Sequence, residues 1–431
     1  MNILLHTIIK FLYLITARIY YAKITVLNLN KVPVNAPLLI AINHSNAFWD
    51  GVLIGLHTKQ SVWFLARGDV FKKPIAAKIL TWIGIAPIYR MQEGVENIEK
   101  NKEVFNRCYQ ILNKNQSIAI FPEGNCERES KLRPLKKGTA RIAFGALETF
   151  KDNKSLYIIC AGLNYDDPDS LNSEVLINFG EPIKVNDYFQ ESMPLDAAPV
   201  VELTKDIEKS LNDAMYNVHE KEHHQLFHFI KRNFLNLLVG KSKSEKFEFE
   251  KVKQLSEKIN NNDAALSTLK TAAISYMQLL SQHKLREKYV RKYMVHAKFI
   301  GDYLIFLFLI IPAIPGLVFN SWPYFMAVYT AKKTVKKNEF FTSVNIGAAG
   351  LLYFIWYILL FVLLVFFLPI IKTLLLIIVL HFSGIIAFHL SSYFRGIRAH
   401  LRILKLSKVE KEALLNTRSH CVEHIQKFVQ P

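Results

Sequence analysis

The sequence predicts an α/β domain followed by an α-helical transmembrane region, with a membrane-associated helix at the N-terminus. Short apolar segments alternate with helical segments from residue 37 to residue 179, which is typical of α/β layer folds. Between residues 303 and 394 only five lysines and one glutamate carry charge. The uncharged stretches between them are long enough to cross a membrane, which needs about 20 apolar residues.

Composition excludes several other classes of protein. Of the 431 residues 51% are hydrophobic, too many for a disordered chain, and the length allows two or three domains. Four cysteines at scattered spacings do not form a disulfide scaffold or a cysteine-rich zinc module. The net charge of +18 could indicate nucleic-acid binding, but no basic–aromatic module is present. We therefore expect no nucleic-acid partner.

The first element is an apolar helix over residues 1–22. Lys10 interrupts it and no small-residue cleavage site follows, so it is not a typical signal peptide. His6, Lys10, Ala17 and Arg18 fall roughly on one side of a helix, which predicts an anchor lying in the membrane interface. A first helix packed on the soluble domain is the alternative.

The next elements build the α/β domain, predicted over residues 23–200. Strands are predicted at 37–43, 61–67, 85–89, 117–121, 156–163 and 175–179. Helices are predicted at 49–57, 97–112 and 138–149. Residues 201–298 are highly charged and predict a helical connector.

The membrane region is predicted over residues 299–394, and residues 395–431 form a basic cytoplasmic tail. Basic clusters at 284–298, 332–337 and 395–405 flank the apolar stretches. The positive-inside rule places all three on the cytoplasmic face.

This placement constrains how the apolar stretches cross. Residues 340–394 fit two helices that turn near Pro369 and Lys372. Residues 303–331 would then form a re-entrant hairpin bent at Pro312 and Pro315. A single tilted helix over 303–331 is the alternative.

Two polar segments follow predicted strands, where active groups gather in α/β folds. The first contains His44 and Asp50, and in a strand-to-helix turn the carboxylate can fold back onto the imidazole and leave a ring nitrogen as general base. The alternative is a simple helix cap. The second runs from Glu123 and Gly124 to Lys136 and Lys137 at a helix start, where basic residues suit a phosphate. Taken alone, it is also consistent with an ordinary surface loop.

Together these segments resemble the glycerolipid O-acyltransferase family. The family's His-x4-Asp block is matched by residues 44–50 with five intervening residues, as in the branch that contains the fungal glycerol-3-phosphate/dihydroxyacetone-phosphate acyltransferases. Gly84-IAPIY-Arg90 matches the second block, and FPEG at 121–124 is the third block unchanged. Residues 132–143 resemble the longer loop of the same branch, and 158–163 are a weak fourth block.

The resemblance implies a mixed sheet flanked by helices and acyl transfer to glycerol 3-phosphate or lysophosphatidate. The co-substrate would be acyl-CoA or acyl carrier protein, with no other cofactor and no metal. It implies His44 as base and Asp50 as its orienting partner. Arg90, Glu123 and Gly124 would position the glycerol phosphate, helped by Lys136 and Lys137. Ser45 and Cys126 remain open as nucleophiles. The chain would contact membrane lipids as an integral protein of a bacterial inner membrane, with its catalytic domain on the cytoplasmic face.

Two further hypotheses compete with acyl transfer. His219–His223 has the H-E-x-x-H pattern of zinc hydrolases, but the segment is charged throughout and lacks an obvious third ligand. The chain could also be a non-catalytic membrane scaffold on the same fold, although the three intact blocks argue against it.

Overall fold

The computed structural model describes residues 3–88, 96–150, 154–168, 170, 172–189, 198–240, 244–261 and 264–430. The chain divides into two compact units. The first contains Met1–His224 and Ser242–Asn260, and the second contains Gln225–Lys241 and Asn261–Pro431. The predicted connector 201–298 therefore contributes to both units.

A mixed eight-stranded sheet forms the centre of the first unit, as the resemblance implies. Its strands are β1 (Tyr21–Leu27), β2 (Leu38–Ile42), β3 (Val62–Arg67), β4 (Ile85–Ile88), β5 (Ser117–Ile120), β6 (Tyr157–Tyr165), β7 (Ser173–Phe179) and β8 (Ile183–Lys184). Seven strands lie in the order β1-β7-β6-β2-β5-β3-β4, and β8 pairs with β6. β2 runs parallel to both β5 and β6, whereas β6 is antiparallel to β7 and β8.

Helices flank this sheet, as expected. Those of the first unit are α1 (Ile3–Tyr20), α2 (Ala47–His57), α3 (Pro74–Trp82), α4 (Glu96–Asn113), α5 (Gly138–Thr149), α6 (Ala198–Ala214) and α8 (Glu245–Asn260), and α7 (Lys221–Val239) continues into the second unit. Fully buried Leu203 and Leu211 of α6 join the same apolar core as Ile158 of β6 and Ile142 of α5. This burial makes α6 part of the α/β layer rather than of a separate connector.

Among the strands and α-helices described for the first unit, β1, β8 and α3 have no counterpart among the sequence predictions. β1 follows α1 without an intervening turn residue, so its alternating residues extend an apolar segment that already predicts a helix. β1 pairs in parallel with β7, about 150 residues further along the chain, a non-local contact that the pattern does not reveal.

α1 packs on the domain along one side and exposes apolar residues on the other. Ala17 is fully buried, Tyr13 contacts the rings of Phe48 and Trp49, and the Lys10 ammonium donates to the carbonyl of Thr58. The side chains of Phe11 and Ile15 are 60% and 40% exposed. The side of α1 that carries Lys10, Tyr13 and Ala17 packs on the domain, as in the alternative of a packed first helix. For the side that carries Phe11 and Ile15, the membrane-interface anchor stays a prediction.

The second unit is helical in its described residues. Its helices are α9 (Ala264–Gln282), α10 (Glu287–Tyr289), which continues as a π-helical turn over Val290–Val295, α11 (Ile300–Thr334), α12 (Phe341–Val365), α13 (Ile370–Lys405) and α14 (Lys408–Val429). α11, α12 and α13 are long and apolar enough to cross a membrane.

α11 is one continuous helix, so the hairpin bend predicted at Pro312 and Pro315 is wrong and residues 303–331 form a single helix, as in the alternative. The prolines do not break α11 because neighbouring helices bond the backbone groups around them. The Ser383 hydroxyl of α13 donates to the carbonyl of Pro312 at 2.5 Å and accepts the N–H of Gly316 at 2.7 Å. The Phe319 carbonyl would normally accept the N–H of residue 323, but Pro323 has no N–H. Trp356 of α12 donates to this carbonyl instead.

α11 and α13 run antiparallel. Tyr303 near the start of α11 bonds His400 near the end of α13, and Asn320 bonds the Leu380 carbonyl. The backbones approach so closely at Gly316 that an added Cβ would lie 2.2 Å from the Ser383 carbonyl. Lys284 also accepts a bond from Arg402 through its carbonyl, so the clusters at 284–298 and 395–405 share one end of the pair.

Lys332 lies about 43 Å along α11 from Tyr303, since a helix rises about 1.5 Å per residue. The lysines at 332–337 are therefore at the opposite end of the pair from the other two basic clusters. The expectation that all three clusters share one face of a membrane required α11 to turn back at its prolines, and α11 does not turn back. Pro312 and Pro315 suggested the bend, but both residues lie inside the continuous helix.

Candidate active site

The carboxyl ends of three neighbouring strands gather the polar groups predicted from the sequence. β2 leads into His44, β5 leads into Glu123, and β6 ends at Tyr165. Because β5 and β6 both run parallel to β2, these ends meet at one edge of the sheet. The amide of Asn43 extends the pairing past β2, since it donates to the Leu163 carbonyl and accepts the Leu163 N–H.

His44 and Asp50 form the pair that the sequence predicts. The Nδ1 atom of His44 lies 2.9 Å from Oδ2 of Asp50. Ala47, at the start of α2, has a φ of 42°, which is uncommon for a residue with a Cβ. The chain turns at this residue, and Asp50 in the first turn of α2 lies beside the imidazole. With Nδ1 held by a carboxylate, Nε2 is the nitrogen that is left as a base.

The Asp50 carboxylate is fully buried and accepts bonds from four groups. Besides His44, the N–H groups of Ser45 and Asn46 donate to Oδ2 at 2.9 and 2.8 Å. The Tyr165 hydroxyl donates to Oδ1 at 2.6 Å. Burial raises the pKa of Tyr165 well above its usual value, so the phenol stays protonated and keeps this bond. Four donors compensate the desolvation of a buried carboxylate and fix its orientation.

Glu123 holds the His44 backbone directly and through Arg133. Its Oε1 accepts the N–H of His44 at 2.9 Å, and its Oε2 accepts the Nε–H of Arg133 at 2.7 Å. Arg133 in turn donates to the carbonyls of His44 and Asn125. The Glu123 side chain is only 2% exposed, because His44 and Arg133 surround its carboxylate. Phe121 stacks on the imidazole with ring centroids 3.8 Å apart, which further restricts the His44 ring.

The two lysines and Gly124 lie at the turn after β5. Gly124 has a φ of +72°, and an added Cβ would be 2.9 Å from the ammonium of Lys136. Glycine adopts such a φ without the steric cost that a Cβ would add. Lys136 and Lys137 are exposed beside the N-terminus of α5, the placement predicted for phosphate contacts. Arg90 lies outside the described residues, two positions after β4 ends.

The H-E-x-x-H segment does not have the geometry of a zinc helix. α7 begins at Lys221, so His219 and Glu220 precede it, and His223 is buried. Among the residues that the structure describes, one group of three or more histidines, cysteines and carboxylates is close enough to hold a metal ion. That group is His44, Asp50 and Cys126.

Sequence reasoning missed three site residues, Tyr165, Arg133 and Phe121. Arg133 stands in the loop that resembles the fungal branch, and Phe121 opens FPEG, so motif position could have indicated both. Tyr165 reaches Asp50 across 115 residues, and the one available signal is its place at the end of an apolar strand.

Comparisons with known proteins agree with the motifs. Residues 23–162 match the family model described as Acyltransferase. Glycerol-3-phosphate O-acyltransferase 1 of Saccharomyces cerevisiae is 26% identical over 289 residues, which are 59% of this chain and 37% of that protein. The chloroplastic 1-acyl-sn-glycerol-3-phosphate acyltransferase BAT2 of Brassica napus is 25% identical over 28% of this chain and 34% of that protein. These matches confirm the resemblance to glycerolipid acyltransferases.

One solved structure is also similar, the 1-acyl-sn-glycerophosphate acyltransferase PlsC from Thermotoga maritima. It shares 13% identity at a TM-score of 0.34, over 48% of this chain and 76% of that one. The matched region spans about a third of the length of the two curated relatives above.

Proposed function

We propose that this protein transfers an acyl chain from a thioester donor to a hydroxyl group of a glycerol phosphate. The donor is acyl-CoA or acyl carrier protein, and the acceptor is glycerol 3-phosphate or lysophosphatidate. The observation that carries the proposal is the His44–Asp50 pair at 2.9 Å, with the His44 ring partly exposed at the edge of the sheet. The names of the relatives support the choice of acceptor class.

In the proposed reaction Nε2 of His44 takes the proton of the acceptor hydroxyl as its oxygen attacks the thioester carbonyl. Asp50 stabilises the imidazolium through Nδ1, and its other three donors hold it in position. The tetrahedral intermediate then expels the thiolate, which receives the proton from Nε2. The products are an ester and a thiol, and no covalent acyl-enzyme forms.

The acceptor phosphate would lie at the basic turn after β5. Lys136 and Lys137 are exposed there beside the start of α5, whose N-terminus favours anions. Arg90 is proposed as a further phosphate ligand. Because Glu123 bonds His44 and Arg133, we assign it to positioning the base rather than to direct contact with the acceptor.

The membrane region has a matching proposal. α11 and α13 would cross as an antiparallel pair, with the basic clusters at 284–298 and 395–405 on the cytoplasmic face and Lys332–Lys337 on the other. The domain that precedes α11 would then act at the cytoplasmic surface of a bacterial inner membrane. Single cysteines at 337 and 405, in a chain without its native cysteines, should react with an impermeant reagent from opposite sides. Labelling of both from the same side would contradict this topology.

The activity is tested by offering labelled acyl-CoA and acyl carrier protein to membranes that contain the protein. Glycerol 3-phosphate and lysophosphatidate are supplied in turn, and the labelled ester is separated by chromatography. Membranes with Asp50→Asn serve as the control for other acyltransferases. Formation of a labelled ester above this control with one of the two acceptors supports the proposal, and no ester with any pair contradicts it.

A further inference from the structure

Cys126 lies against the catalytic pair and has no role in the proposed reaction. The N–H of Ala47, in the turn between His44 and Asp50, donates to its sulfur at 3.2 Å. The ligand atoms of His44, Asp50 and Cys126 all lie within 4.8 Å of one another. All four cysteines are among the described residues, and Cys126 is half-buried whereas the other three are buried.

A thiolate, an imidazole and a carboxylate are the three ligand types that zinc takes in proteins. Around a tetrahedral Zn²⁺ the ligand atoms lie roughly 3.5 Å apart, given bonds of about 2.0–2.3 Å. The bound of 4.8 Å on the present separations exceeds this spacing by about 1.3 Å, so modest shifts of the three side chains would bring them around an ion. If the metal takes Nδ1, the His44–Asp50 contact at 2.9 Å opens by about 0.6 Å. Magnesium and calcium prefer oxygen ligands, so a site with one sulfur and one nitrogen discriminates against them.

We propose that His44, Asp50 and Cys126 form an inhibitory site for Zn²⁺. Binding releases the thiol proton to water and forms Zn–S, Zn–N and Zn–O bonds, while the imidazole stays neutral. If the metal takes Nδ1, the ring proton moves to Nε2; if it takes Nε2, the ring proton stays on Nδ1. The inhibitory effect rests on the proposed function, whereas metal binding itself does not.

The inhibition follows from the single lone pair of a neutral imidazole. A metal at Nε2 occupies the nitrogen that would accept the proton of the hydroxyl. A metal at Nδ1 leaves the ring proton on Nε2, which then cannot accept another at neutral pH. In either geometry the base is lost while the acceptor and donor sites stay intact.

Cobalt binding to the purified full-length protein tests the site without any assay of activity. Co²⁺ bound to a thiolate gives a sulfur-to-metal charge-transfer band in the near ultraviolet. We expect this band in the wild type and in His219→Gln, which removes a surface histidine of the H-E-x-x-H segment. We expect it to vanish in Cys126→Ser. A band of equal strength in Cys126→Ser would overturn the proposal.

Zinc inhibition of acyl transfer tests the consequence. Cys126→Ser should keep its activity without zinc, because a serine oxygen can still accept the N–H of Ala47, and this activity shows that the variant is folded. The zinc concentration for half inhibition should rise about tenfold or more in Cys126→Ser, the scale on which metal sites lose affinity when a supporting group is removed. It should not change in His219→Gln.

Equal sensitivity of the wild type and Cys126→Ser to zinc would contradict the inhibitory site. If the wild type transfers no acyl chain to any acceptor, the proposed function fails, and the cobalt band alone decides whether the metal site exists.

Discussion

The edge of the sheet around His44 and the helix pair α11–α13 both bury polar groups, but they compensate them differently. At the sheet edge the buried group is the Asp50 carboxylate, and it accepts from the His44 ring, the Tyr165 hydroxyl and two backbone N–H groups. Along α11 the bonded groups are backbone carbonyls and an N–H group near prolines, and the neutral side chains of Ser383 on α13 and Trp356 on α12 bond them. The comparison predicts that substitutions at the sheet edge change catalysis and that substitutions in the helix pair change stability.

Asp50→Asn should have the largest effect. A neutral amide does not stabilise the imidazolium that forms when Nε2 takes the proton, even where its oxygen faces Nδ1. We expect kcat to fall by about 10²–10⁴-fold, the range for loss of a positioned base. Steady-state kinetics measure the fall, and circular dichroism confirms that the variant is folded. A variant with at least a tenth of the wild-type kcat would contradict the role of Asp50.

Arg133→Lys should come next. An ammonium cannot reproduce the fork that bonds Glu123 and the carbonyls of His44 and Asn125 together. Loosening the His44 backbone should lower kcat by roughly 10–100-fold, because small misplacements of a catalytic group are costly. Arg107→Lys is a matched control. Arg107 lies on α4, and its guanidinium stands over the ring of Trp63 on β3. Equal kcat values for the two variants would mean that the Arg133 clamp does not position the base.

Tyr165→Phe should have a smaller effect on the same quantity. It removes one of four donors to Asp50 and leaves the ring in place, so we expect kcat to fall about tenfold with little change in the acceptor KM. The control is Tyr188→Phe, which removes a Tyr–Asp bond of the same 2.6 Å length to Asp206 on α6. A change in KM rather than kcat would indicate that Tyr165 shapes the acceptor site instead of positioning Asp50.

Ser383→Ala should leave catalysis nearly unchanged and lower stability. The hydroxyl bonds both Pro312 and Gly316, and interhelical bonds of this kind contribute about 1 kcal/mol in membrane proteins. Ser391→Ala is the matched control on the same helix, because the bonds described for Ser391, to the carbonyl of Phe388 and from Arg395, both lie within α13. Thermal unfolding in detergent should show a lower midpoint for Ser383→Ala alone. A large loss of kcat in this folded variant would contradict the expectation that substitutions in the α11–α13 pair affect stability rather than catalysis.

The same comparison explains what the sequence could predict. His44 and Glu123 were found because a polar residue after an apolar strand marks a sheet edge, and this signal is local. Tyr165 was not found because its bond to Asp50 depends on which strands are neighbours. In the membrane region, composition correctly predicted apolar helices. It could not show that Ser383, 71 residues after Pro312, would supply the bonds that keep α11 continuous.

Replacement of His44 by alanine decides whether this residue is the general base of the acyl transfer. The rate of ester formation from labelled acyl-CoA is measured for the wild type and for His44→Ala at saturating acceptor. We expect the variant to lose about 10²–10⁴-fold in kcat while its acceptor KM stays close to that of the wild type. Transfer by His44→Ala at the wild-type rate would contradict the assignment of the base and the mechanism built on it.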